Sequence, residues 1–177
     1  TPGILTFISL KRFSVSEAVK AKCRENDIEL PFILIEPGRS IAAPAGITLY
    51  TVGGIKKIPN IRTYVSIDGG MGDNPRYALY QSRYEVVCAN KASEKRSRTV
   101  TVAGKCCESG DLIQEWTHIQ PVEPGDILAV LSTGAYNYSM ASNYNRIPRL
   151  PVIMVKDGKD RLVVRRETYE QLTECDI

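Results

Sequence analysis

The spacing of apolar residues differs between the first forty residues and the rest of the chain. Over Ser14–Asp27 the apolar residues recur at helical intervals, and Ser14 with Glu17 forms a potential capping box, so an amphipathic helix is predicted there. Leu30–Glu36 is a short, largely apolar run, which is typical of a strand buried in a parallel sheet. Helix and strand together predict one α/β unit, and a lone unit of this kind needs neighbouring strands along its edges.

After the Pro-Gly-Arg turn that follows this run, the pattern becomes that of strands separated by turns. The predicted strands are Ala45–Ile58, Ile61–Ile67, Tyr84–Ala89, Arg98–Ala103 and Asp126–Ser132. Val152–Lys156 and Arg161–Arg165 flank Asp157-Gly158, the strongest hairpin signal in the chain. A short helix is predicted within Gly134–Tyr144 and a closing helix at Glu167–Cys175. The region is therefore predicted to be a mainly β domain, a Greek-key sandwich or barrel.

The composition is that of an ordinary globular protein. Of the 177 residues, 43% are apolar and 24% are charged, and the net charge of +3 comes from interspersed residues of both signs. This balance argues against nucleic acid as the main partner. No apolar run approaches the roughly 18 residues of a transmembrane helix. The chain is therefore expected to bind neither nucleic acid nor a membrane.

The five cysteines are expected to be reduced. Their number is odd, no Cys-x-x-Cys pair occurs, and the single histidine, His118, argues against a zinc site. No metal is therefore predicted. Reduced thiols indicate a cytoplasmic location, or a plastid if the source is a plant or an alga.

Two segments carry groups that suit anionic ligands. Glu36-Pro37-Gly38-Arg39 follows the predicted strand, and backbone N–H groups in such a turn, with an arginine fork, can bind a phosphate or a carboxylate. A strand-ending turn with a surface arginine explains the same residues. Arg76 and Tyr80 are four positions apart, so one helical turn would let both hold one carboxylate. The alternative is a tyrosine-rich structural turn.

Two further segments carry groups that suit proton transfer and cofactor binding. Cys106-Cys107-Glu108 lies on a glycine-bearing loop, where a thiol beside a carboxylate can donate a proton and bind a cation. Two small buried residues are an equally good interpretation of the cysteines. Tyr136 belongs to a tyrosine-rich segment whose flat rings suit a planar cofactor, or else simply pack.

In their order and spacing these segments resemble the C-terminal half of diaminopimelate decarboxylases. The matching segments are EPGRSIAAPAG, VSIDGGMGDNPRYALYQSRYE, GKCCESGD and TGAYNYSMASNYN. The resemblance begins near Leu30, and residues 1–13 match nothing that we can place. It implies that residues 1–40 are the remnant of a (β/α)8 barrel that binds pyridoxal 5'-phosphate and that residues 41–177 form a C-terminal β domain. It also implies a homodimer with shared active sites.

The resemblance further implies a role for each segment. Family members remove the α-carboxylate at the D-centre of meso-diaminopimelate to give lysine, and this step leaves a carbanion. Cys107 is expected to lie near the cofactor of the partner subunit and to reprotonate that carbanion. The Glu36–Arg39 turn is expected to meet the cofactor phosphate, and Tyr136 to contact the cofactor. The residues expected to bind substrate, either its carboxylate or its distal ammonium group, are Arg39, Arg76, Tyr80, Glu108 and Tyr136.

One family feature has no counterpart in the sequence. The Schiff-base lysine of the family lies in a Tyr-x-x-Lys-Ala-Asn-like context, to which Cys88-Ala89-Asn90-Lys91-Ala92 is only superficially similar. The chain is therefore expected to be the C-terminal part of a decarboxylase (a lyase of lysine biosynthesis) and to be inactive alone. The alternatives are a decarboxylase of ornithine or arginine type, whose substrates lack a distal carboxylate, and a non-catalytic dimerisation module of the same fold.

Overall fold

The computed structural model describes residues 15–177, and the chain falls into two compact units, residues 1–41 and 42–177. In the first unit, residues 15–25 form helix α1, in agreement with the predicted amphipathic helix. The predicted cap, Ser14, lies outside the described residues. A second, short helix, α2, covers Arg39–Ala42 at the boundary between the units.

The strand predicted at Leu30–Glu36 is wrong. These residues have no regular secondary structure, and the side chains of Phe32 and Leu34 are 93% and 75% exposed. A parallel strand forms only beside hydrogen-bonding neighbours, and the described part of the first unit contains no other strand. The assignment of residues 1–40 to a barrel stays a prediction.

The second unit is built on a six-stranded, barrel-like sheet. Its strands are β1 (Ile47–Ile58), β2 (Arg62–Ile67), β3 (Val86–Cys88), β4 (Arg98–Ala103), β5 (Leu112–Ile119) and β6 (Ile127–Leu131). They lie in the order β3-β6-β1-β2-β4-β5, and all neighbours are antiparallel except the parallel pair β2 and β4. The prediction of a mainly β fold with a barrel is confirmed.

The core of this sheet consists of the side chains that point to one face of each strand. On β1, Tyr50 and Val52 are buried, whereas Ile47 and Leu49 are exposed, because successive residues of a strand point to opposite faces. Branched side chains dominate the buried set, as expected for a pleated surface. Its fully buried members include Val65, Val86, Val102, Ile113, Ile119, Leu128 and Val130.

Two glutamine side chains close the barrel between its end strands. The Tyr84 N–H, just before β3, donates to Gln114 Oε1 at 2.7 Å, and the Cys88 N–H donates to Gln120 Oε1 at 3.0 Å. Gln114 and Gln120 belong to or directly follow β5, and both are buried. The strands β3 and β5 are not paired by backbone hydrogen bonds. The glutamine side chains therefore accept the backbone N–H groups just before and at the end of β3 instead.

The strand β5 was not predicted, because its side chains do not alternate. Buried residues are adjacent at both ends, at Ile113 with Gln114 and at Ile119 with Gln120. Between them Trp116 has φ 51, in the left-handed region, and its side chain is exposed. The β4–β5 register shifts nearby, so this strand is irregular and its sequence lacks the period of two.

A two-stranded sheet and short helices complete the second unit. The sheet consists of β7 (Val152–Lys156) and β8 (Lys159–Val164), which confirms the hairpin predicted at Asp157-Gly158. The helices are α3 (Arg76–Tyr80), α4 (Asn137–Met140) and α5 (Tyr169–Thr173), with 3-10 turns at Ala43–Ala45, Ala89–Lys91 and Tyr144–Arg146. No helix within residues 15–177 is long and apolar enough to cross a membrane.

Candidate active site

Arg76 lies between two aromatic rings. It begins α3, and its guanidinium carbon is 5.2 Å from the centroid of the Tyr80 ring and 5.5 Å from that of Tyr136. Both distances are typical of cation–π contacts. The guanidinium also approaches Met140 Sδ at 3.8 Å. Its Nε is buried without a hydrogen-bond partner among the described residues, so a buried cationic donor is left for an anion.

Tyr136 occupies a strained backbone position beside this arginine. It precedes α4 with φ 68, in the left-handed region, which is costly for a tyrosine. The ring is nevertheless 46% exposed. Backbone strain at an exposed aromatic residue is typical of functional sites rather than of packing positions.

A glycine-rich turn leads from β2 to α3. The Asp68 carboxylate accepts the Thr51 N–H at 2.8 Å, and the Asp73 carboxylate accepts the Gly70 N–H at 3.1 Å. Burial raises the pKa of Asp73, although the Gly70 hydrogen bond opposes the shift. Burial also raises the pKa of Tyr50, with the nearby Asp73 carboxylate adding to the effect. The turn therefore packs over the buried side chain of Tyr50, with its polar hydroxyl group.

Asp111 joins this turn to the cysteine-bearing loop. Its buried carboxylate accepts the Met71 N–H at 2.6 Å and the Cys106 N–H at 2.7 Å. A side chain at either Gly70 or Gly104 would overlap the carboxylate, so both positions need glycine for close approach. The glycine-rich turn and the cysteine-bearing loop, which are separate segments of the sequence, are thus held together by the Asp111 side chain.

The two adjacent cysteines have different environments. Cys106 is half-buried, and burial, with the neighbouring Asp111 carboxylate, raises the pKa of its thiol. Cys107 is exposed, and its N–H donates to Asn145 Oδ1 at 3.0 Å. Glu108 is exposed and accepts the Tyr144 hydroxyl at 3.5 Å. The exposed thiol and carboxylate are therefore the pair available for chemistry.

The structure brings most of the predicted residues of the second unit into two groups linked by short contacts. Arg76, Tyr80 and Tyr136 form one group, and Cys107 with Glu108 forms the other. Asp111 connects the loops that carry them, and the Ser142 N–H donates to the Gly72 carbonyl at 2.9 Å. No group of three or more metal-binding side chains occurs within residues 15–177.

The predicted residues of the first unit form a turn of their own. Glu36, Pro37 and Gly38 are exposed, and the Gly38 carbonyl accepts the Ile41 N–H at 3.0 Å. Arg39 begins α2 and is partly buried. Their role at a cofactor phosphate stays a prediction.

Sequence reasoning assigned no role to Asp111 or Asn145. Both act through hydrogen bonds to backbone groups 40 and 38 positions away, respectively. An acidic residue shortly after a Cys-Glu-Ser-Gly loop is a weak sequence signal, since an exposed aspartate is equally common there. Only the tertiary contact identifies either residue.

Comparisons with known proteins place these segments in one family. The model of the pyridoxal-dependent decarboxylase C-terminal sheet domain matches residues 15–134. The diaminopimelate decarboxylase of Bacillus subtilis is 52% identical over 163 residues, which cover 92% of this chain and 37% of that protein. The enzyme of the same name from Synechocystis is 47% identical, over 99% of this chain and 36% of its own length, so this match also includes most of residues 1–13, which the resemblance in the sequence did not cover.

A solved structure gives the same result. The diaminopimelate decarboxylase of M. jannaschii, determined in complex with L-lysine, superimposes with a TM-score of 0.75 and 35% identity. The match covers 89% of this chain and 36% of that one. The chain thus spans little more than a third of the length of the relatives that it matches.

Proposed function

Since the chain belongs to the pyridoxal-dependent decarboxylases, through their C-terminal sheet domain, we propose that it supplies the substrate-binding and proton-donating part of a diaminopimelate decarboxylase. The observation that carries this proposal is Arg76, a partly buried guanidinium between Tyr80 and Tyr136 whose Nε has no hydrogen-bond partner among the described residues. A partly buried guanidinium in this state suits a carboxylate ligand.

The substrate that fits best has a carboxylate and an ammonium group at the end distant from the reaction. Arg76 and Tyr80 hold the distal carboxylate, and Arg39 is proposed to assist them. Glu108 holds the distal ammonium group. A basic amino acid such as ornithine lacks the distal carboxylate and would leave Arg76 unpaired, which is costly for a partly buried charge.

The residues of the chain fit pyridoxal 5'-phosphate. The ring of Tyr136, which is half-exposed and carried on a strained backbone, presents a flat surface to a planar cofactor and its bound substrate. We propose that the Glu36–Arg39 turn binds the phosphate. When bound, the cofactor provides the sink for the electron pair left at the substrate's α-carbon.

Cys107 is proposed as the proton donor. The bond from the α-carbon to its carboxylate breaks, carbon dioxide leaves, and a C–H bond then forms with the proton held at Cys107 Sγ. The thiolate regains its proton from water, which reaches this exposed side chain. The half-buried Cys106, whose pKa burial raises, is the poorer candidate.

We further propose that the working enzyme is a homodimer in which Cys107 and Glu108 serve the active site of the other subunit. The support is the exposure of both side chains together with family membership. We propose that a barrel half supplies the cofactor-binding lysine, because these 177 residues contain no Tyr-x-x-Lys-Ala-Asn-like segment.

The test joins this chain to the barrel half of a bacterial relative and measures amino acid products with pyridoxal 5'-phosphate present. We expect lysine from meso-diaminopimelate, little product from ornithine or arginine, and only background activity from the isolated chain. Preferential turnover of ornithine or arginine would favour a decarboxylase of the other type. No turnover by a folded, cofactor-loaded enzyme would favour a non-catalytic module.

A further inference from the structure

Three successive backbone N–H groups around Cys107 are held by different acceptors. The Cys106 N–H donates to Asp111, the Cys107 N–H donates to Asn145 Oδ1 at 3.0 Å, and the Glu108 N–H donates to the Cys106 carbonyl at 2.8 Å. Asp111 and the Cys106 carbonyl belong to the same loop. Asn145 comes from a separate loop, so it fixes the position of this segment from outside.

Asn145 reaches Cys107 from a strained backbone. Asn145 has φ 54 and the next residue, Arg146, has φ 53, so two successive residues other than glycine are left-handed. Such a conformation costs free energy and persists only where surrounding contacts impose it. Asparagine tolerates it better than most residues, which suits position 145 to this task.

The loop that carries Asn145 also contacts the C-terminal segment, residues 167–176. Arg146 forms two hydrogen bonds with the Asp176 carboxylate, at 2.5 and 3.2 Å. Before Asn145, the Asn143 side chain donates to Glu167 at 2.5 Å, and after it Arg149 pairs with Glu167 at 2.9 Å. The loop that carries Asn145 is therefore tied at both ends to the C-terminal segment.

We propose that Asn145 is a positioning residue for Cys107 and Glu108, and that the C-terminal segment holds Asn145 in place through Asp176 and Glu167. The hydrogen bond to the Cys107 N–H sets where the thiol and the following carboxylate lie relative to the Asp111-anchored loop. The catalytic consequence rests on the proposed function. The geometric part concerns this chain alone and is tested separately.

The geometric test is amide hydrogen exchange by NMR on the chain labelled with 15N-cysteine, which yields one signal for each of its five cysteines. Asn145→Gly keeps the left-handed backbone accessible but removes the acceptor. We expect exchange at Cys107 to accelerate by about tenfold, in line with the loss of one hydrogen bond. Asn145→Asp retains an acceptor oxygen and is expected to preserve the protection.

The C-terminal tie is tested in the same experiment. Asp176→Asn is expected to accelerate exchange at Cys107 to a smaller extent than Asn145→Gly. Asp160→Asn, at an exposed position on β8, is the matched control and is expected to leave all five signals unchanged. An unchanged rate at Cys107 in Asn145→Gly, or equal acceleration at all five cysteines, would overturn the proposal.

The catalytic part is tested in the enzyme joined to a barrel half. Asn145→Gly is expected to lower kcat by about tenfold, because the proton donor Cys107 is misplaced, and to raise KM, because Glu108 moves with it. Asn145→Asp is expected to restore most of both values. An active parent whose kcat is insensitive to Asn145→Gly would refute the positioning role and leave the proposed function intact. An inactive parent whose amide exchange behaves as expected would refute the proposed function only.

Discussion

The Asp111 carboxylate accepts the Met71 N–H at 2.6 Å and so connects two loops that lie 40 positions apart in the chain. Its other oxygen accepts the Cys106 N–H at 2.7 Å. One buried side chain thus sets the distance between the turn leading to Arg76 and the loop carrying Cys107 and Glu108.

Asp111→Asn is predicted to destabilise the second unit. An amide has one acceptor oxygen, so its NH2 group would face one of the two backbone donors, leaving that donor buried and unsatisfied. We expect a loss of about 1–3 kcal/mol in the free energy of unfolding, measured by urea denaturation. Asp73→Asn is the control, because burial already raises the pKa of Asp73 and a neutral side chain suits that site. Equal losses in the two variants would contradict the account.

The two glutamine side chains that close the barrel are predicted to protect different backbone N–H groups. Gln114→Met is expected to accelerate amide exchange at Tyr84 and not at Cys88, because only the Tyr84 N–H loses its acceptor. Gln120→Met is expected to do the reverse, so each variant is the control for the other. NMR of the uniformly 15N-labelled chain measures both rates, and parallel acceleration at both positions in either variant would disprove separate closures.

Stability is predicted to fall in acid because of Asp126. Hydrogen bonds from the Lys91 ammonium and the Asn90 amide hold the pKa of Asp126 down at about 2, below its ordinary value of 3.8. A folded-state pKa below the unfolded value adds stability that is present above pH 3.8 and is lost as the pH falls towards 2. The urea midpoint should therefore decline over this window.

Asp126→Asn identifies the contribution of this carboxylate. The variant should be less stable than the parent near neutral pH, and the difference should shrink between pH 4 and pH 2, as Asp126 of the parent becomes protonated. Asp160→Asn, which changes an exposed carboxylate, should leave the pH profile as it is. A difference between Asp126→Asn and the parent that stays constant down to pH 2 would show that Asp126 does not titrate as described.

Most of the β domain is predictable from the sequence, because its strands are short apolar or alternating runs bounded by turn residues and its hairpin has a specific turn. The failures have physical causes. In β5 the left-handed Trp116 disrupts the alternation, and at Leu30–Glu36 an apolar run forms no strand where the described unit offers no neighbouring one. Asp111 and Asn145 could not be assigned, because their side-chain oxygens accept hydrogen bonds from backbone N–H groups that only the tertiary fold brings near.

Cys107 and Cys106 are predicted to differ in function. In the joined enzyme, Cys107→Ala should slow lysine formation strongly, because the proposed proton donor, an exposed thiol, is lost, whereas Cys106→Ala should mainly affect packing. Mixing Cys107→Ala subunits with subunits that lack the cofactor-binding lysine should restore activity, since one hybrid site has both groups intact. No recovery in heterodimers confirmed by mass would mean that each site is built within one subunit.

The central claim, that Arg76 binds the substrate carboxylate, is tested most directly by kcat/KM for meso-diaminopimelate in the joined enzyme carrying Arg76→Lys. Lysine keeps the charge but loses the planar fork, so we predict a fall of about ten- to a hundredfold, or roughly 1.4–2.8 kcal/mol of transition-state stabilisation. Arg62→Lys is the matched control, because Arg62 also lies over an aromatic ring, at 4.4 Å from Trp116, but is already paired with Glu115. It should leave kcat/KM unchanged. An active parent with the same kcat/KM in Arg76→Lys would contradict the account.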